Sequence, residues 1–266
     1  MSLRDTADGL SSFADKVISE RAKLEAAALP IYLTEWNTSP SQRDWLNDTC
    51  YKSCYIAKNI LENYDRLESF GYWSLSDFMS EAPLPKEMFF GGLGLFTVNG
   101  IPKAAYYALW LLNKLGDELV SKGEGWFATR KGKDYRIIMY NYRHISHLYA
   151  QGERFDMTFT DRYTLFAPEQ LMDFHITINN IQSGKYLVRE TILNRNSGSA
   201  FDKWVQSGAL EIDSKQEFET LLAHSTPTYG KYVTEAADNT LKIDALLDML
   251  ELRLMVIEKI SKGKEL

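Results

Sequence analysis

Leu29-Pro30-Ile31-Tyr32-Leu33-Thr34-Glu35-Trp36-Asn37 is a short, apolar, β-rich run that stops at a carboxylate flanked by an aromatic ring and an amide. A strand that ends on an acid is how a (β/α)8 barrel brings a reactive group to the C-terminal rim of its sheet, where such barrels do their chemistry. Glu35 is therefore the first candidate for a catalytic residue. Taken alone, a glutamate at a strand end is more often solvated or ion-paired, so the reading depends on what surrounds it.

Upstream, residues 10 to 28 place Leu10, Phe13, Val17, Ile18 and Leu24 along one side of a predicted helix that Pro30 closes, with Ser11 or Ser12 near its cap. Downstream, a polar loop (residues 38–43) leads into a helix predicted from Asp44 to Tyr64, with Leu46, Cys50, Cys54, Ala57, Leu61 and Tyr64 recurring at three and four. A second strand is predicted over residues 68–76. The loop from Phe78 to Gly100 contains Phe89, Phe90, Leu93 and Phe96, which argues for an ordered wall of a cleft. Gly91-Gly92-Leu93-Gly94 within it lacks the following lysine and the surrounding unit of a phosphate loop. Pro102, the run from Ala104 to Leu115 and Gly116 punctuate another helix. Eight strands close a barrel and only two strand-helix units precede the next change of pattern, so the chain reads as truncated on its N-terminal side.

From Asp117 the pattern becomes short alternating runs at 126–129, 135–141, 171–178, 186–192 and 252–257, separated by Gly132, Gly152, Asn179-Asn180 and Ser183-Gly184. That is the pattern of an antiparallel β-sandwich. Ser214 and Glu217 form a capping box for a helix at 216–224 that Pro227 ends. Residues 245–257 carry helical spacing as well, but a turn followed by a closing strand fits better. The expected organisation is α/β plus β: residues 1–116 as the last two units of a TIM barrel, residues 117–266 as an accessory sandwich.

The chain has 266 residues, 45% of them hydrophobic, and a formal charge of −6 with a pI near 5.4. An acidic chain with no basic stripe is a poor nucleic-acid surface. No run approaches the ~20 apolar residues of a membrane span. Cys50 and Cys54, the only cysteines, read as buried thiols in a reducing compartment, hence a cytoplasmic protein. His144 and His147 read as part of a polar loop, since no third ligand stands beside them, and no metal or cofactor is expected.

The segment from Leu29 to Gly116 resembles the end of the catalytic barrel of glycoside hydrolase family 39, the retaining β-xylosidases. The resemblance is carried by residues 29–39, by Phe70-Gly71-Tyr72-Trp73-Ser74-Leu75-Ser76-Asp77, by Gly91 to Leu95 and by Ile101-Pro102-Lys103. It implies that Glu35 is the nucleophile, that Trp36, Asn37, Tyr72, Trp73, Asp77 and Glu81 bind or frame a xyloside, and that the function belongs to carbohydrate metabolism. Tyr72 reads equally as barrel core. The family's acid/base follows an Asn on an earlier strand, and no Asn-Glu-Pro-like motif occurs in these 266 residues. The family also shows two adjacent acids where this chain has Ser80-Glu81, and a His where it has Phe90. The stretch Asn194 to Trp204 is implied to pack near the barrel. Two further expectations follow: inactivity of the chain alone, and self-association through the open barrel edge. The alternative is the sugar-sensing C-terminal module of an AraC-type transcriptional regulator, which the run from Tyr140 to Asp156 resembles equally well.

Overall fold

The computed structural model describes residues 12–25, 29–39, 41–145, 157–166 and 170–260. The first described element is helix α1 (Ser12–Glu25), whose Phe13, Ala14 and Val17 are buried. Residues 10–11 and 26–28 of the expected helix lie outside the described residues. Ile18, expected on the buried side, is 47% exposed, because one residue beyond Val17 is a ~100° turn around the helix.

Strands β1 (Tyr32–Trp36) and β2 (Ser69–Tyr72) pair in parallel, Tyr32 against Ser69 and Leu33 against Phe70, and the register then slips so that Trp36 faces Tyr72. Gly71 sits opposite that slip. A Cβ there would lie 2.2 Å from the Thr34 carbonyl oxygen, so the close approach requires glycine.

The helix expected over 44–64 is two pieces. A single 3₁₀ turn, Trp45–Asp48, is capped by Asp44, whose carboxylate accepts from the Leu46 amide. Thr49 is extended, and α2 (Cys50–Asn63) follows it. Within α2 all residues but Ile60 and Glu62 are buried, far beyond the stripe the apolar spacing marks. The extra coverage comes from both directions. Tyr163 donates its hydroxyl to Asp202 and receives the Cys50 amide, and Cys54 Sγ donates to the Glu251 carbonyl. Both cysteines are buried and unbridged. Helix α3 (Ala104–Leu112) packs on α2 and stops short of Leu115.

After α3 come β3 (Glu118–Gly123), β4 (Trp126–Lys131), β5 (Asp134–Tyr140), β6 (Met172–Asn179) and β7 (Gly184–Leu193), then β8 (Thr228–Ala236), β9 (Thr240–Leu247) and β10 (Leu252–Lys259). They form a six-stranded sheet in the order β3-β4-β5-β10-β7-β8 and a two-stranded sheet β6-β9, in which every named pairing is antiparallel. Ile137, Met139, Val188, Met255 and Ile257 of the large sheet share a core with Phe174, Ile243 and Ala245 of the small one. Strand β9 alternates buried and exposed residues as a half-covered strand must. Leu246, which helical spacing would have buried, is 53% exposed, and Leu250 turns at φ 61° into β10.

Two short helices lie between β7 and β8. One is α4 (Ala200–Gln206), which begins inside the stretch from Asn194 to Trp204 implied to pack near the barrel. The other is α5 (Lys215–His224), opened by the Ser214–Glu217 capping box. From α4, Phe201 and Trp204 pack on Phe89 at ring separations of 5.8 and 5.5 Å. One core thus runs from Trp36 and α2 through Phe89 to Leu193, Leu252 and Leu254. Among the described residues no helix is long and apolar enough to cross a membrane.

Candidate active site

Strand β1 carries Glu35 to a cavity of about 500 Å³ bounded by β1, α1 and the loops after β1 and β2. Its apolar walls include Phe13, Val17, Leu33, Trp73 and Leu93, and its polar groups include Lys16, Glu20, Glu35, Asn37, Gln42 and Glu81. Glu35 is an exposed carboxylate against largely apolar walls. Among the residues picked out from sequence, Glu35, Trp36, Asn37, Trp73 and Glu81 come together here, while Tyr72 and Asp77 do not line the cavity.

Trp36 and Asn37 take different parts from the ones the resemblance implies, and Tyr72 takes the core part that was its equal reading. Trp36 is only 5% exposed; its ring stacks on Tyr55 at 5.6 Å and is packed against Phe13, Phe70 and Tyr72, so it meets the cavity at its margin and serves chiefly as core. The Asn37 amide donates to the carbonyls of Trp73 and Leu93, and its oxygen accepts from Lys52 Nζ and the Thr38 amide. It fastens the end of β1 to the end of β2 across the cavity floor, immediately before the cis Trp73–Ser74 peptide. Tyr72 packs beside Trp36, and burial pushes its phenol up.

Asp77 is a buried ion-pair partner. Lys103 Nζ lies 3.1 Å from Asp77 and 2.6 Å from Asp48, and Asp48 is also 2.7 Å from Arg162. All four side chains are at most 1% exposed. Backbone amides complete the set: Gly91 donates to Asp48 and Gly94 to Asp77, each at 2.7 Å. Gly94 must be glycine here, since a Cβ would lie 2.2 Å from the Asp77 nitrogen. Burial pushes the Asp77 carboxyl up, and Lys103 only partly offsets it. Lys103 and Arg162 together outweigh burial at Asp48 and hold it down; the two carboxylates raise Lys103. Two positive and two negative charges balance in a fully buried cluster, the condition under which buried ions are tolerated.

Several functional neighbours escaped the sequence reading. Gln42 holds the mouth of the cavity: its carbonyl accepts from Ser80 Oγ at 2.7 Å and from the Glu81 amide at 2.8 Å, while its amide donates to the Glu81 carboxylate at 3.1 Å. Lys52, fully buried, donates to Thr38 and Asn47 besides Asn37. Arg162 stacks 4.2 Å over Phe201 and donates to the Trp45 carbonyl. Lys52 sits off the apolar stripe of α2, so periodicity points away from it; Tyr51 and Tyr55, large apolar rings that also lie off that stripe, were the available signal that other faces are covered. Of the pair His144 and His147, the first accepts or donates at Tyr142, 3.1 Å away, and the second lies outside the described residues.

The family model for glycosyl hydrolases family 39 matches residues 11–241, and the chain belongs to that family. A β-xylosidase of Geobacillus stearothermophilus is 30% identical over 233 residues, which is 87% of this chain and 42% of that protein. The crystal structure of the GH39 enzyme from Xanthomonas axonopodis pv. citri aligns with a TM-score of 0.79 at 20% identity, over 95% of this chain and 50% of that one, which shows a shared fold. An uncharacterized HTH-type transcriptional regulator of Staphylococcus aureus is 20% identical over 209 residues, 79% of this chain and 27% of that protein. The chain spans less than half the length of these curated relatives.

Proposed function

We propose that this chain carries the nucleophile side of a retaining β-xylosidase site, with Glu35 as the group that attacks the anomeric carbon. The observation that carries the reading is an exposed glutamate at the end of β1, facing a cavity shared with Trp73 and Glu81, in a family 39 chain. In that reading β1-α2 and β2-α3 are the last two units of a (β/α)8 barrel, and the antiparallel sheets are its accessory sandwich. Trp73 supplies the apolar platform for a pyranose ring, and Glu81, steadied by Gln42, accepts from sugar hydroxyls.

Retention needs a second carboxyl about 5–5.5 Å from the first, to protonate the leaving oxygen and then activate water. The sequence has no Asn-Glu-Pro-like strand end to supply it, so the 266 residues alone do not hydrolyse xylosides. Loss of general-acid help alone costs roughly 10²- to 10⁴-fold. The test is an aryl β-xyloside assay on the pure chain beside its Glu35→Gln variant. No difference between them is expected. Turnover by the parent chain that Glu35→Gln abolishes would establish the nucleophile and overturn the inactivity.

The similarity to the staphylococcal regulator favours a second reading, in which the same cavity senses a sugar and a separate segment binds DNA. Saturable binding of xylose or a xyloside without turnover, in a polypeptide that also carries a helix-turn-helix, would select it.

A further inference from the structure

Strand β8 is the terminal strand of the six-stranded sheet, and among the described residues no strand pairs with its outer edge. It is nine residues long and regular, in register with β7 from Ala236 to Thr228. Its row Tyr229, Lys231, Val233 and Glu235 is exposed throughout. A long, unbroken edge with exposed aromatic and β-branched side chains is a template for another strand unless something blunts it. The usual device is a charge that repels a like charge on the incoming copy. Here the two charges are of opposite sign and flank Val233 symmetrically.

The opposite edge of the same sheet shows the contrast. Strand β3 also carries an acid and a base, Glu118 and Lys122, about its middle, but its register slips between Leu119 and Ser121. Its charges are engaged as well: Glu118 receives Arg130 Nη2 at 2.7 Å and Nε at 3.0 Å, and Lys122 lies 4.8 Å over the Tyr64 ring. That edge is bent and its ions are occupied. On β8 the register has no slip, and Lys231 faces Arg189, a like charge whose own carboxylate, Glu258, lies on its other side.

We propose that β8 is a self-recognition edge, on which a second copy of this chain adds its own β8 antiparallel about a two-fold axis at Val233. In that register Val233 meets Val233 of the other copy, and Lys231 of each copy meets Glu235 of the other. Of all two-fold registers for this strand, only this one sets base against acid. It gives the crowded Lys231–Arg189 pair a carboxylate and continues the row Glu258, Arg189, Lys231 into Glu235 and Lys185 of the second copy. The interface is isologous, so both ion pairs form together. The added surface is small, which makes the association weak and concentration-dependent.

Sedimentation velocity up to roughly 500 μM, a range suited to small interfaces, tests the proposal with Lys231→Glu and Glu235→Lys, whose exposed side chains leave the fold intact by circular dichroism. The parent chain forms a dimer. Each single variant places like charges across both pairs and weakens association roughly tenfold or more, as cross-strand charge reversals do. An equimolar mixture of the two variants sets acid against base at both pairs and restores the dimer, which a merely structural effect of either substitution would not do. A parent chain that stays monomeric, or an association that survives both substitutions and does not respond to mixing, overturns the proposal. The second outcome assigns self-association to another edge, such as that of β1-β2.

Discussion

Replacing Lys103 by Met tests the buried charge quartet directly. Met fills most of the lysine's volume but removes the ammonium group that bridges Asp48 and Asp77. Two fully buried carboxylates are then left with Arg162, which contacts Asp48 alone among them. Removing one partner of a buried ion pair costs about 3–5 kcal/mol, a large part of the 5–15 kcal/mol that holds a typical protein folded. Urea titration followed by fluorescence should show the midpoint falling by roughly 1–2 M at pH 7. The pH dependence sharpens the expectation. Asp77 already has a raised carboxyl in the folded protein, and without Lys103 it rises further. The folded variant then binds more protons than its unfolded chain, so its stability recovers as the pH falls from 7 toward 5. Adding Asp77→Asn to Lys103→Met should restore most of the loss. A midpoint drop below about 0.3 M at pH 7, or one that grows on acidification, would refute the account of the quartet as a charge-balanced unit.

The Cys50 and Cys54 thiols are pushed up by burial, so a thiol reagent at pH 8 should label neither in the native chain and both in urea. His175 has its imidazole raised by Asp244, 2.8 Å away, and by Asp173. Its NMR titration midpoint should lie above the ordinary histidine value and fall in Asp244→Asn; the small stabilisation is complete below the unfolded-state pKa and lost as pH rises through the folded one. Ser214→Ala removes the side-chain half of the α5 capping box and should cost about 1 kcal/mol in a denaturation curve, with the large sheet unaffected.

Elements whose pattern came from one covered face were legible in the sequence. The strand that carries Glu35, the alternation of β6 and the Ser214 capping box all follow from local chemistry. What failed was local for a reason. Asp77 follows a strand in a motif associated with sugar binding, yet its environment is fixed by Lys103, 26 positions later, and through Asp48 by Arg162. No periodicity connects these residues. Trp36 beside a catalytic candidate resembles a sugar platform until the rings of Phe13, Tyr55, Phe70 and Tyr72 cover it. The split at Thr49 was hidden because the 3₁₀ turn and α2 share one apolar rhythm. The α4 helix, in a Gly/Ser/Asn-rich stretch, is held by Ser199 capping the Asp202 amide and by aromatic packing more than by propensity.

Arg162 reaches from the segment after β5 into the loops that follow β1 and β2, closing the charge quartet from the other side of Gly116. Tyr163, its neighbour, takes the first amide of α2. A cut at Gly116 would therefore strand Asp48, Asp77 and Lys103 with a net negative charge in one piece and a bare guanidinium in the other. Neither piece would be a portable module. Gene fusion or recombination that separated the residues before Gly116 from those after it would break this charge balance in both pieces.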